Sequence, residues 1–355
     1  MFTNPFTPIF GGKPGVFFGR ADVLKRFDLA MVDQGSEDRA LFLAGTRGCG
    51  KTALLEQLSI RAAARKRVVI DMGPEDTIEQ LVHELAGFDE KTDTISLQPL
   101  LLEACRKSNR GILVTIDEVQ KVSLEDVSAL CNAFQMASRK GYDIMLAVAG
   151  LPYAYNAVIR HEGCTYLRRA SHEERGLFTW EETEEAFKSA FSGIAGLSLG
   201  KESVDRLNLV SYGHPYLMQL LGYHLILLMN TNDAKSPHAV TEQEIENAVA
   251  NALHTYEHRA LKPLLEELPG SERKYFSAVS ECLGEDRLAS ASDIAGLLGT
   301  AQNRLSKTRA TLIGHGIIAA PEHGKIMFCI PYLADFVKKD AVASSAVEIA
   351  RKRRV

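Results

Sequence analysis

Apolar residues in the first half of this chain fall in short unbroken runs instead of alternating with polar ones. Ala40-Leu41-Phe42-Leu43-Ala44 ends at a glycine, and Ile112-Leu113-Val114-Thr115-Ile116 ends at two carboxylates. Arg67 to Asp71 and Ile144 to Ala149 repeat the pattern, and Gly176-Leu177-Phe178 is a shorter version. Runs of this length read as strands buried on both faces. Between them the spacing turns helical, over 51–64, about 76–88 and 97–108. A further helix opens at Ser123 with Asp126 three residues on, and carries Leu124, Val127, Leu130, Cys131 and Phe134 on one face. Strands alternating with helices predict an α/β architecture, a parallel sheet covered on both sides.

From Glu181 the strand signal stops. Helical pattern runs through 181–195, 201–211, 215–230 and 241–266, which predicts an all-α subdomain. Pro269-Gly270 marks a boundary. Beyond it, helices are expected over about 271–282, from the Ser290-Ala291-Ser292-Asp293 start, and from Thr300 to about Ile313. Two strands then follow, 317–320 and 325–330. The predicted organisation is an α/β domain over 1–180 with an extended amino-terminal arm, a helical subdomain over 181–269, a small domain over 270–340 and a basic tail over 341–355.

Composition is that of an ordinary globular chain: 355 residues, 46% apolar and 24% charged. The net charge of −4 excludes a uniformly basic nucleic-acid coat. From residue 270 onward, however, 13 lysines and arginines face 9 aspartates and glutamates, so that end is net positive. The six cysteines are far apart, with no CxxC pair, and the amino terminus lacks a leader pattern. Reduced thiols and a cytoplasmic location are therefore expected. The most apolar helix candidate, Tyr216 to Met229, is interrupted by Gln219 and His224 and is too short to span a bilayer, so no membrane association is expected. His254 and His258 have the spacing of two metal ligands but no third ligand in the sequence, and read as surface histidines.

The octet Gly45-Thr46-Arg47-Gly48-Cys49-Gly50-Lys51-Thr52 follows a predicted buried strand and opens a predicted helix, which is the setting a P-loop requires. Its glycines let backbone N–H groups turn inward toward phosphate oxygens, and the helix adds the positive end of its dipole. Lys51 is placed to neutralise the β- and γ-phosphates of ATP, and the Thr52 hydroxyl to ligate Mg²⁺. Asp117-Glu118, at the carboxyl end of a buried strand, projects into the same crevice. Asp117 is the natural partner of the metal. Glu118 is the candidate that polarises an attacking water, with a supporting role short of catalysis as the alternative.

With these motifs in place, the sequence resembles AAA+-type P-loop ATPases, specifically the branch of origin-recognition initiators and the related STAND-type signalling ATPases. Phe17-Phe18-Gly19-Arg20 is similar to the F-x-G-R motif ahead of the first strand, and Asp117-Glu118 to the Walker B ending. Gly213-His214-Pro215 resembles the G-x-P motif of the helical lid. The resemblance covers about residues 10–340. It implies that Gly19, Arg20 and Pro215 approach the nucleotide, that 181–269 is a lid, and that 270–340 is a winged helix-turn-helix. Two family features are missing. The place of the polar sensor reads Ala147-Val148-Ala149-Gly150-Leu151-Pro152, and the lid has His214 where a sensor arginine is usual. A slow switch is therefore expected rather than a motor.

The resemblance also implies an arginine supplied in trans, for which Arg168 and Arg169 stand in the right place; both could equally be solvated surface residues. Arg47 could reach phosphate or point to solvent. Cys49 lies near a helix amino terminus, where thiols tend to be reactive, or is simply a small loop residue. In the winged-helix reading, Arg304, Lys307 and Arg309 of the third helix and Lys325 of the wing would meet duplex DNA. The same module could instead serve self-assembly or a protein partner. The Arg351-Lys352-Arg353-Arg354 run could touch phosphates or remain solvated.

Overall fold

The unbroken apolar runs become the centre of a five-stranded parallel sheet. The computed structural model describes residues 1–9, 15–73, 76, 81, 97–108 and 110–340. The chain divides into two units, one of residues 9–176 and one of residues 1–8 with those from Leu177 onward. The helix expected over 76–88 lies almost wholly outside the described residues, as does the tail from 341.

In the first unit the strands are β1 (Ala40–Gly45), β2 (Val68–Met72), β3 (Ile112–Ile116), β4 (Ile144–Gly150) and β5 (Ser171–Arg175), in the order β2-β3-β4-β1-β5. Every pairing is parallel, with Ala40 opposite Leu146 and Ile112 opposite Ile144. Successive side chains on a strand point to opposite faces, and here both faces are covered. Phe42, Val114, Ile116, Leu146 and Val148 pack beneath α3 (Leu97–Lys107) and α4 (Leu124–Arg139). Leu41, Leu43, Leu113, Met145 and Ala147 pack beneath α1 (Ala21–Ala30) and α2 (Lys51–Ala64). That is why these strands carry no polar alternation.

Two expectations need correcting. The fifth strand is Ser171–Arg175, not 176–178. As an edge strand it pairs only with β1, so it keeps polar side chains, and His172 stacks on Tyr155 with ring centroids 3.6 Å apart. The second correction concerns Leu151-Pro152, which starts a helix that the sequence reading passed over. Pro152 takes the first position of α5 (Pro152–Arg160), where its missing N–H costs nothing. A short α6 (Thr165–Arg168) follows before β5.

The amino-terminal ends of β1, β2 and β4 are tied by charge. Arg39 and Arg67, both buried, converge on the Asp143 carboxylate just before β4; Arg67 Nη1 donates to Asp143 Oδ1 at 2.9 Å. Burial pushes the Asp143 carboxyl up, but the two guanidiniums outweigh it and hold it below its ordinary value. A carboxyl held low stabilises the fold above the ordinary range, near ~4, and that contribution fades as pH falls through the folded value. Asp143→Asn should therefore cost about 3 kcal/mol at pH 7. The difference in melting temperature from the parent protein should shrink steadily toward pH 3. A difference independent of pH would rule out the charge as its cause.

The second unit is mainly helical: α7 (Trp180–Ser192), α8 (Lys201–Ser211), α9 (Pro215–Thr231) and α10 (Glu242–Tyr256). Thr179 and Thr241 begin α7 and α10 with full capping boxes. A two-stranded parallel pair, β6 (Leu197–Ser198) and β7 (His238–Ala239), adds strand pairing where only helix was expected. The single helix expected over 241–266 is interrupted. A π turn over Glu257–Leu261 leads into α11 (Lys262–Glu266), whose Pro263 has no N–H to continue the α register.

The first eight residues form a strap on α9. Phe2 donates to and accepts from the Asn230 side chain, Thr7 N donates to Gln219, and Phe6 is buried against Gly222 and Phe191. A Cβ at Gly222 would come within 2.4 Å of the Phe6 ring, so glycine is required there.

The last part of the unit runs α12 (Gly270–Glu281), β8 (Ala289–Ser290), α13 (Ala291–Leu297), α14 (Gln302–Gly314), β9 (Ile318–Ala319) and β10 (Lys325–Phe328), with helix again over 333–340. The three expected helices and the hairpin are present, and β8 makes a third antiparallel strand in the order β8-β10-β9. Tyr332 joins this part to the helices before it by donating to the Val210 carbonyl at 2.9 Å.

Candidate nucleotide site

β1 delivers the octet to the carboxyl end of the sheet, and its three glycines are fixed for different reasons. A Cβ at Gly45 would lie 2.5 Å from the Arg175 carbonyl and 2.6 Å from Cys49 Sγ. Gly48 and Gly50 instead take positive φ, 78° and 88°, which side chains resist. The loop closes tightly, and α2 begins at Lys51.

Lys51 is only 5% exposed, and its ammonium donates to the carbonyls of Gly45 at 3.0 Å and Thr46 at 2.9 Å. A buried ammonium is stable only where oxygens surround it. The octet therefore holds a fixed positive charge within a ring of its own backbone.

β3 ends beside it, because only β4 separates β3 from β1. Thr52 Oγ1 donates to Asp117 Oδ2 at 2.5 Å, and Asp117 Oδ1 accepts from Glu118 N at 2.9 Å. The Asp117 amide donates to the Met72 carbonyl at 2.9 Å, which fixes the strand end. A hydroxyl and a carboxylate in direct contact are hard oxygen donors, the set that suits Mg²⁺ arriving with phosphates. Among the described residues no group of three or more His, Cys, Asp or Glu could hold a metal by itself, so phosphate oxygens would have to complete the coordination.

Glu118 takes the left-handed conformation, with φ 51°, and turns the chain sharply into Val119–Lys121. Such a backbone is strained for a non-glycine residue and is held only by surrounding contacts. Gln120 supplies one. Its Nε2 donates to Glu118 Oε2, and its Oε1 accepts from Leu151 N at 3.2 Å, at the end of β4. A Cβ at Gly150 would lie 2.9 Å from that Gln120 oxygen. Sequence reading missed Gln120, although the sequence did show an all-apolar β4 end that left polar duties unassigned. Tyr153 adjoins the group. Burial raises its phenol first, the Glu118 carboxylate raises it further, and Arg47 opposes both.

Gly19 and Arg20 both have positive φ, and the Arg20 guanidinium donates to the Gly176 carbonyl at 3.0 Å. Arg20 is close enough to lower the Cys49 thiol electrostatically, as Lys51 also does, but burial dominates and the thiol is pushed up. This corrects the reactive-thiol reading. Cys49 is 2% exposed and packs against Gly45, where it can neither ionise readily nor be reached.

The neighbouring arginines prove unlike. Arg168 donates to the carbonyls of Ile159 and His161 and so staples a loop. Arg169 is exposed and lines a cleft of about 340 Å³ with Ser36, Arg39, Gln135, Arg139 and Thr165. Ala40, the first residue of β1, also lines this cleft. The octet starts five residues further on, roughly 17 Å along an extended strand. Arg169 therefore cannot serve the octet of its own chain.

Pro215, in the other unit, is the first residue of α9. Gly213 before it has φ 67°, and a Cβ there would meet the Phe178 carbonyl at 2.1 Å. His214 caps the helix by accepting from Leu217 N and is buried. His254 and His258 have ring centroids 4.5 Å apart. On α14, Arg304 and Lys307 are exposed, while Arg309 is half-buried near Tyr275. Lys325 lies opposite Ser290 in the β10–β8 pairing. No helix among the described residues is long and apolar enough to cross a membrane.

Residues 33–158 match the AAA domain family, and residues 259–337 match a domain of unknown function (DUF8462). No curated protein matches the chain. Among solved structures, the ADP form of the ORC2 protein of Aeropyrum pernix is 16% identical, with 91% of this chain and 93% of that one covered and a TM-score of 0.55. The same protein in ADPNP–ADP complexes gives 15%, 95% and 98%, and 0.53. Cdc6p from Pyrobaculum aerophilum gives 14%, 90% and 93%, and 0.51. At these identities the likeness is one of fold: a P-loop AAA+ architecture shared with the ORC2 and Cdc6p structures.

Proposed function

We propose that this chain is an ATP-dependent switch: it binds ATP with magnesium through Gly45–Thr52, hydrolyses it slowly, and contacts duplex DNA through its carboxy-terminal domain. The observation that carries the nucleotide reading is the meeting of Thr52 with Asp117 at 2.5 Å, beside a buried Lys51. The AAA domain match and the fold shared with a protein solved in its ADP form support it.

In this reading Lys51 and the loop amides bind the phosphates, Thr52 and Asp117 hold the magnesium, and Glu118 accepts the proton of the attacking water. The metal supplies charge compensation at the β- and γ-phosphates. Gly19 and Arg20 border the nucleotide, and Pro215 belongs to a lid formed by 181–269. No polar side chain projects from the end of β4, and this favours slow turnover. An arginine from a neighbouring copy would complete the charge stabilisation. Arg169 is the candidate, since it is exposed and too far from its own octet. Arg169→Ala should keep the affinity for ATP while lowering turnover about tenfold or more at concentrations where copies associate; equal turnover at every concentration would remove it from this role.

Residues 270–340 we read as a winged helix with α14 as the DNA-facing element. Arg304 and Lys307 support this, because both are exposed and make no ion pair among the described residues. Replacing Arg304, Lys307 and Arg309 together with alanine should weaken duplex binding. It should also reduce the slope of log K against log[salt] by about two to three, near 0.9 for each lost phosphate contact. Titrations between 50 and 200 mM salt, with and without ATP, test this. If the unaltered protein ignores duplex DNA at the lowest salt, the small domain serves self-assembly or a protein partner instead, the STAND-like alternative.

A further inference from the structure

We infer that Gln120 is the positioning residue for the hydrolytic carboxylate: it fixes Glu118 against the end of β4 and leaves one carboxylate oxygen for water. The inference deepens the proposed ATPase reading and rests on Glu118 being the base.

The geometry is specific in three ways. First, the Gln120 amide has a defined orientation. Its oxygen is taken by the Leu151 N–H at 3.2 Å, so its NH₂ end must face the Glu118 carboxylate, where it donates to Oε2. A freely rotating amide could not discriminate between the two, but this one is locked by a backbone partner. Second, there is room for the bridge only because residue 150 is glycine. A Cβ there would press on Gln120 Oε1 at 2.9 Å and on Val119 Cγ1 at 2.8 Å. Third, the backbone of Glu118 is held at φ 51°, so the carboxylate leaves the strand in a direction that an ordinary extended residue would not give it.

A base must be aimed as well as charged, and misplacement by about 1 Å can cost roughly 100-fold. Glu118 alone has free torsions along its side chain. With Oε2 held by Gln120, Oε1 is the oxygen left to accept a proton. As the water oxygen bonds to the γ-phosphorus and the bond to the β–γ bridging oxygen breaks, that proton passes to Oε1 and ADP leaves with the bridging oxygen. Gln120 itself neither gives nor takes a proton. It also ties Glu118 to β4, the strand between the octet and Asp117, so a shift of the Gly150–Leu151 corner would re-aim the base directly.

The test compares the full-length protein with Gln120→Ala, Gln120→Glu and Glu118→Gln. Steady-state ATP hydrolysis gives kcat and KM, and binding of a fluorescent ATP analogue gives affinity. Gln120→Glu is the discriminating variant. It keeps an oxygen for the Leu151 N–H but presents a carboxylate to Glu118, so a purely structural role predicts near-normal turnover. The expected result is a fall in kcat of about tenfold for Gln120→Ala and more for Gln120→Glu, with KM and analogue affinity within about twofold of the parent. Unchanged or raised kcat in Gln120→Glu overturns the inference, as does a loss confined to KM. Failure of the underlying reading looks different: no turnover by the parent protein, or parental turnover by Glu118→Gln, removes Glu118 as base and Gln120 with it.

Discussion

Lys51→Ala is expected to weaken ATP binding by roughly 150-fold or more, the equivalent of about 3 kcal/mol. The side chain is almost wholly enclosed, and its charge is held by the Gly45 and Thr46 carbonyls. Those carbonyls are partners that a triphosphate can outcompete, since phosphate oxygens carry full negative charge and carbonyls only partial charge. Removing the ammonium leaves the loop with amides and a helix dipole facing three or four negative charges. Isothermal titration with ATP and magnesium measures the loss. Circular dichroism on the same sample checks that the fold survives, since the two carbonyls also lose a donor. An affinity within threefold of the parent would falsify the nucleotide assignment of the octet.

Glu118→Gln should separate binding from turnover. Glutamine is close in shape and can still bond to its neighbours, but it cannot take a proton from water at neutral pH. General-base catalysis is typically worth 100- to 10,000-fold, so kcat should fall by about 100-fold or more. ATP affinity should stay within about twofold, because Lys51, Thr52 and Asp117 are untouched. Rapid-quench measurement of the nucleotide bound after one hour distinguishes the outcomes: the variant should retain ATP where the parent holds ADP. If the variant holds ADP as the parent does, Glu118 is not the base.

The sheet centre and the octet were legible because burial on two faces, and a loop that must admit phosphate, restrict residue choice severely. Ala40–Ala44 and Ile112–Ile116 have no solvent side, so they read as strands by apolar content alone. Ser171–Arg175 did not, because an edge strand is stabilised by one neighbour and a few side-chain pairs. Its own sequence, Ser-His-Glu-Glu-Arg, is that of a polar loop, while the apolar Leu177-Phe178 next to it suggested the wrong boundary. Gln120 was invisible for another reason. Its partners, Glu118 two residues before it and Leu151 thirty-one residues after it, meet only through a left-handed turn and the β3–β4 pairing. Arg168 and Arg169 are adjacent and chemically identical, and only the fold tells them apart, giving Arg168 the carbonyls of Ile159 and His161 and Arg169 the wall of a cleft. Cys49 shows that proximity to a helix end does not lower a thiol that burial has removed from water.

The strap of residues 1–8 on α9 also has a consequence for synthesis. Phe2 must wait for Asn230, 228 positions later, before its hydrogen bonds can form. A chain growing from its amino end has made every strand of the parallel sheet well before α9 exists, so residues 9–176 can become a finished body on the ribosome while the first eight hang loose. The strap therefore finds its place only after α9 has been made, later than the sheet whose strands follow it in sequence.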